Sequence, residues 1–141
     1  MVVRLVLPAL CAFVGIGALG GGGLAILVPD GSLMQAQALI PALQAIPLVG
    51  PYVDSLLLAG IALLLCIFVP QILASILLLT KRPGQYAAAL LAGILLCLFT
   101  ITELVFLGSN VLSWLYLLFG VIEILGSVYG ILAGRRAHSA V

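Results

Sequence analysis

Charge is what this sequence has least of. Only 6% of its 141 residues are charged, against about 25% in a soluble domain, so the chain has no means of covering itself with a solvated surface. The net charge is +1 with no basic stripe, which excludes nucleic acid as an expected partner. Histidine is nearly absent: His138 is the only one and sits in the tail after Arg135 and Arg136. No nucleophile–base–orienter set can therefore be assembled from Ser32, Ser55, Ser75, Ser109, Ser113 and Ser127. No catalytic residue, metal ligand set or cofactor is expected. Cysteine is limited to Cys11, Cys66 and Cys97, none in a CxxC pair. That argues against a quinone-linked disulfide enzyme and reads instead as three small apolar residues.

Apolar residues dominate, at 65%. They form four runs, at about residues 5–28, 53–80, 84–107 and 111–134, each long enough for the roughly 20 residues that cross a hydrocarbon core. The five cations mark alternate ends of these runs: Arg4 precedes the first, Lys81 and Arg82 separate the second from the third, and Arg135 and Arg136 follow the fourth. The positive-inside rule then places both termini in the cytoplasm. The fold class expected is all-α: an integral membrane four-helix bundle forming one transmembrane domain over residues 1–141. The expected location is the cell membrane, multi-pass, the bacterial inner membrane first. Short links at 81–83 and 108–110 make runs two, three and four antiparallel neighbours. Arg4 and the apolar run after it have the layout of a secretory signal, but Leu10 before Cys11 is too large for a lipobox. The run is read as an uncleaved first span.

The connection at 29–52 is too apolar for a free loop and too short to span. It carries Pro29, Pro41, Pro47 and Pro51. Ser32 is placed to cap a short helix with Leu33, Ala36, Leu39 and Ile40 on one face and Gln35 and Gln37 pointing away; a second segment is expected over 42–46. The expectation is a short interfacial helix lying on the outer surface or folding back over the bundle. Trp114, Tyr116 and Tyr52 read as an outer aromatic belt, Tyr86 and Tyr129 as an inner one. No internal repeat supports an inverted-repeat transporter.

Lipid offers no hydrophobic drive between helices, so contact depends on small residues. Gly126, Gly130 and Gly134 recur every four residues in span four, and Gly17 and Gly21 do so in span one. Two arrangements fit: spans one and four close the bundle through these faces, or span four forms a homo-oligomer. The run Gly20–Gly23 costs about 1 kcal/mol per residue against alanine and predicts a frayed or kinked end.

Two acids lie inside spans. Glu123 falls midway along span four, and Glu103 near the outer end of span three. An ionisable group at that depth costs about 2.5 kcal/mol or more, and no Lys or Arg lies inside a span to offset it. Glu123 is therefore expected to be protonated or bonded to a polar group at its own depth, with Gln71 the candidate. Pro70 frees a carbonyl near Cys66 as a second acceptor. Asp54 is an acid at the outer interface. Glu103 and Glu123 differ in depth by about 10 Å, so they would be separate stations, not one chelating site.

The segment Gly22 to Gly31 (GGLAILVPDG), with Pro51-Tyr52-Val53-Asp54 opening span two, resembles small uncharacterised four-span bacterial membrane proteins. The layout is also similar to DoxX-like four-helix proteins. The resemblance implies the fold and a membrane location, and no reaction. Small multidrug exporters carry an essential glutamate in span one, where this chain has none. The expected function is a non-enzymatic accessory or structural protein that binds lipid or another membrane subunit. The alternative is a small proton- or cation-coupled transporter or channel using Glu123 and Glu103.

Overall fold

The computed structural model describes residues 2–33 and 36–138, and the side chains of 5–33 and 36–135. Gln35 and the side chains of Arg4, Arg136 and His138 lie outside the described residues. The molecule is all-helical in this range. Helix α1 covers Val2–Leu27, α2 Leu39–Gln44, and a single 3-10 turn Gly50–Tyr52. The second span combines α3 (Leu57–Leu63), a π-helical turn (Leu64–Phe68) and α4 (Val69–Leu79). Helices α5 (Gln85–Phe106) and α6 (Val111–His138) complete the chain.

Among the described residues, four helical segments are long and apolar enough to cross a membrane: Leu5–Leu27, Leu57–Leu79, Gln85–Phe106 and Val111–Arg135. The first contains 23 residues, about 35 Å at 1.5 Å per residue, against a hydrocarbon core of about 30 Å. Each span packs on the next, and α6 returns to α1 to close the ring. The bundle is apolar outside and partly polar inside. Leu5, Leu65, Leu98 and Leu125 are exposed, while Gln71, Glu123 and Ser127 are completely buried. That distribution suits a lipid solvent, which accepts leucine but not an unpaired polar group.

Proline explains the break in span two. Pro70 has no N–H for the carbonyl four residues earlier, and the chain answers with the π turn immediately before it, where the Val69 N–H donates to the Leu64 carbonyl five residues back. Between α4 and α5 the chain reverses through a Schellman turn. Arg82 N–H donates to Leu77 O at 3.1 Å, Lys81 N–H to Leu78 O at 3.4 Å, and Lys81 takes φ 52°. At the other reversal, Asn110 caps α6 by accepting the Ser113 N–H at 2.8 Å.

The 29–56 connection departs from expectation. Ser32 caps no helix: its N–H and hydroxyl both donate to Asp30 Oδ1, at 3.0 and 2.8 Å, closing an Asx turn that holds the Asp30 carboxyl below its usual pKa. The helix starts later, at Leu39, and runs to Gln44, uniting the end of the first expected segment with most of the second. The connection is tied down by Leu56 N–H to Pro29 O at 2.8 Å and by Gln44 Nε2 to Val53 O at 2.8 Å. Val53 and Leu56 are buried against the bundle.

Glycine packing also differs. Gly20–Gly23 stay helical, α1 continuing to Leu27. Gly22 is the buried member of that run, and it meets Gly60 of α3. A Cβ on Gly60 would lie 2.8 Å from the Gly22 carbonyl oxygen, and one on Gly22 3.0 Å from that of Gly60. Gly120, Gly130 and Gly134 of α6 do not face the glycines of α1. Gly130 is covered by the Tyr86 ring of α5, and Gly134 has open space. Gly17 faces the Tyr116 hydroxyl and Gly21 touches Leu63; Gly126 is half-buried. Spacing within one helix cannot report which helix it meets. For the same reason Tyr86 and Tyr116 turn inward onto glycines, while Tyr52, Tyr129 and Trp114 are exposed.

Candidate functional site

The polar residues converge on the bundle centre, where a proline-broken span and a glycine crossing bring the helices close. Gly93 of α5 allows α6 to approach: a Cβ there would sit 3.0 Å from the Glu123 Cβ and 3.1 Å from the Gly120 carbonyl oxygen. Gln71 follows Pro70 by one residue and points inward from α4. Its Nε2 donates to Glu123 Oε2 at 2.7 Å. Both side chains have no exposed surface, so the bond forms in a low-dielectric interior where a lost partner is costly.

Around this pair stand residues that the sequence left unassigned to it. Cys11 of α1 lies alongside the Glu123 carboxyl, and Cys97 of α5 stands near it, beside Gly120 of α6. Ser127, one turn beyond Glu123 on α6, is also completely buried. Three buried oxygens here, Gln71 Oε1, Glu123 Oε1 and Ser127 Oγ, have no hydrogen-bond partner among the described residues. Four residues after Gln71, the Ser75 hydroxyl donates to the Pro8 carbonyl at 2.9 Å, tying α4 to α1. The i, i+4 spacings of Gln71 with Ser75 and Glu123 with Ser127 were visible signals for these polar faces.

Glu103 is held elsewhere. Ser113 Oγ donates to its Oε2 at 2.9 Å across the α5–α6 turn. Ser113 lies ten residues before Glu123 on α6, about 15 Å along the helix, so the two glutamates do not share a site. Asp54 is exposed at the entry to span two. The cysteines are all free: Cys11 is buried and Cys97 half-buried, but Cys66, within the π turn, is exposed. Among the described residues no group of three His, Cys, Asp or Glu side chains is placed to hold a metal ion.

Chemically, the centre offers one carboxyl, one amide, one hydroxyl and two thiols. It contains no positive charge, since every Lys and Arg lies at or beyond a span end. Such a set can fix helix register and bind a proton. No protein-family model, curated protein or solved structure matches the chain.

Proposed function

We propose that the protein is a non-enzymatic structural or accessory component of the cell membrane, its bundle serving as a scaffold that binds lipid or another membrane subunit. The observation carrying this reading is the Gln71–Glu123 pair: 2.7 Å apart and without exposed surface on either member. An interhelical hydrogen bond that sets register needs that burial. A coupled transporter needs the same carboxyl in contact with a water-filled path.

Both termini and the α4–α5 turn face the cytoplasm in this reading. Its support is the clustering of cations: a groove at the Pro83 end is lined by Pro83, Gly84, Tyr86, Gly130, Gly134 and Arg135, with Lys81 and Arg82 adjoining. Positive charge at one boundary is the inner-leaflet signature, and it favours anionic lipid headgroups as the partner at that end. The exposed Leu33, Leu48 and Tyr52 of the 29–56 connection suit a segment lying in the opposite interface. The likeness to small four-span bacterial proteins points to the bacterial inner membrane.

Reconstitution tests this. Proteoliposomes carrying a pH-sensitive dye and an imposed potential should leak protons and cations no faster than empty liposomes, with wild type and Glu123→Gln alike. Flux that is present in wild type and lost in Glu123→Gln would make the protein a coupled transporter and end the structural reading.

A further inference from the structure

The bundle centre holds buried oxygens without partners. Glu123, Gln71 and Ser127 each have 0% exposure, and one oxygen of each has no partner among the described residues. Gln71 Oε1 can only accept, and an ionised carboxylate can only accept. One N–H of the Gln71 amide is already spent on Glu123 Oε2. Ser127 stands one helical turn from Glu123, on the same face of α6. No cation lies inside any span, so no positive charge offsets one on the carboxylate.

We propose that Gln71, Glu123 and Ser127 form a proton-binding site, whose ligand is H⁺ taken up on Glu123 Oε1. One O–H bond forms, the carboxylate charge is neutralised, and no other bond changes. The acid hydrogen converts Oε1 from acceptor to donor in a centre where Gln71 Oε1 and Ser127 Oγ also have no partner among the described residues. Oε2 remains free to accept from Gln71 Nε2, so the register bond survives protonation. The other titratable groups around the carboxyl are thiols, Cys11 from α1 and Cys97 from α5. Span two presents the amide of Gln71, which does not titrate. A proton fits this setting better than a metal ion, which would need more oxygen ligands than the three available.

The inference rests on the buried pair of the structural reading and adds Ser127 and a ligand to it. Infrared titration of the full chain in detergent, in H₂O and D₂O, tests it. The expected result is a carboxylic-acid C=O band at neutral pH that shifts in D₂O and bleaches under alkaline conditions. The band should be missing in Glu123→Gln and kept in Glu103→Gln. Ser127→Ala should change its frequency and lower the bleaching midpoint by about one pH unit, tenfold in proton affinity.

A wild-type protein with no acid band at neutral pH, or a band that survives in Glu123→Gln, overturns the site. So does bleaching by Na⁺ at fixed pH, which would make it a cation site, and an unchanged band in Ser127→Ala removes Ser127 from it. The two readings fail separately. An ionised Glu123 still coupled energetically to Gln71 ends the proton site and leaves the register bond, whereas an acid band without that coupling does the reverse.

Discussion

Gly93 and Gly120 face each other across the α5–α6 interface so closely that a Cβ on either would lie 3.1 or 3.2 Å from the other's carbonyl oxygen. Gly22 and Gly60 make the corresponding crossing between α1 and α3. Backbone contact of this kind supplies dispersion energy where lipid supplies no hydrophobic drive, and it sets the helix separation at which Gln71 reaches Glu123.

Alanine at these crossings should therefore destabilise. Gly60→Ala and Gly93→Ala are expected to cost about 1–3 kcal/mol through overpacking against backbone, read as a lower unfolding midpoint in detergent. Gly20 and Gly23 have no neighbour within 4 Å of the position a methyl group would take. Gly20→Ala should instead gain about 1 kcal/mol from helix propensity. Equal effects at all of these positions would show that the crossings are not tight.

Gly130 and Gly134 separate two roles for one stripe. The Tyr86 ring occupies the space over Gly130, while Gly134 has nothing within 4 Å. Gly130→Leu should lower the unfolding midpoint by several degrees and Gly134→Leu should leave it unchanged. If the Gly134 face joins copies of the chain, Gly134→Leu converts the oligomer to monomer by light scattering without unfolding it.

Much of this architecture was legible in the sequence, and the reason is solvent. Four runs of about 20 apolar residues and cations confined to Arg4, Lys81, Arg82, Arg135 and Arg136 specify helices and their ends almost without reference to packing. Pro70 marked the irregular turn because a missing N–H must be compensated locally. Partner choice was not legible. Gly126, Gly130 and Gly134 share a spacing, yet the backbone-to-backbone crossings described use Gly93, Gly120, Gly22 and Gly60, whose pairing depends on helix rotation. Ser32 competed for Asp30 over a distance of two residues and so never became a helix cap. Ser127 looked like one more small residue, because its role appears only once Glu123 and Gln71 are seen side by side.

Lys81 carries a local strain that can be relieved. It holds φ 52° at the position after the α4 C-cap, where a side chain costs about 1–2 kcal/mol relative to glycine. Lys81→Gly should raise stability by about 1 kcal/mol in thermal unfolding. A loss would show that the lysine side chain contributes more at this turn than its backbone costs.

The Ser113–Glu103 bond fastens the α5–α6 turn. Ser113→Ala should cost about 0.6–2 kcal/mol, the range for hydrogen bonds between membrane helices, with the Glu103→Gln background absorbing part of the loss in a double-mutant cycle. Strict additivity would mean that the contact holds nothing.

The central claim is that Gln71 and Glu123 hold spans two and four in register, and a double-mutant cycle across that pair tests it most directly. Unfolding free energies in detergent for wild type, Gln71→Leu, Glu123→Leu and the double variant should give a coupling of about 0.6–2 kcal/mol. The double variant should be more stable than the sum of the single losses implies, because each single change strands a buried polar group. A coupling indistinguishable from zero would contradict the account.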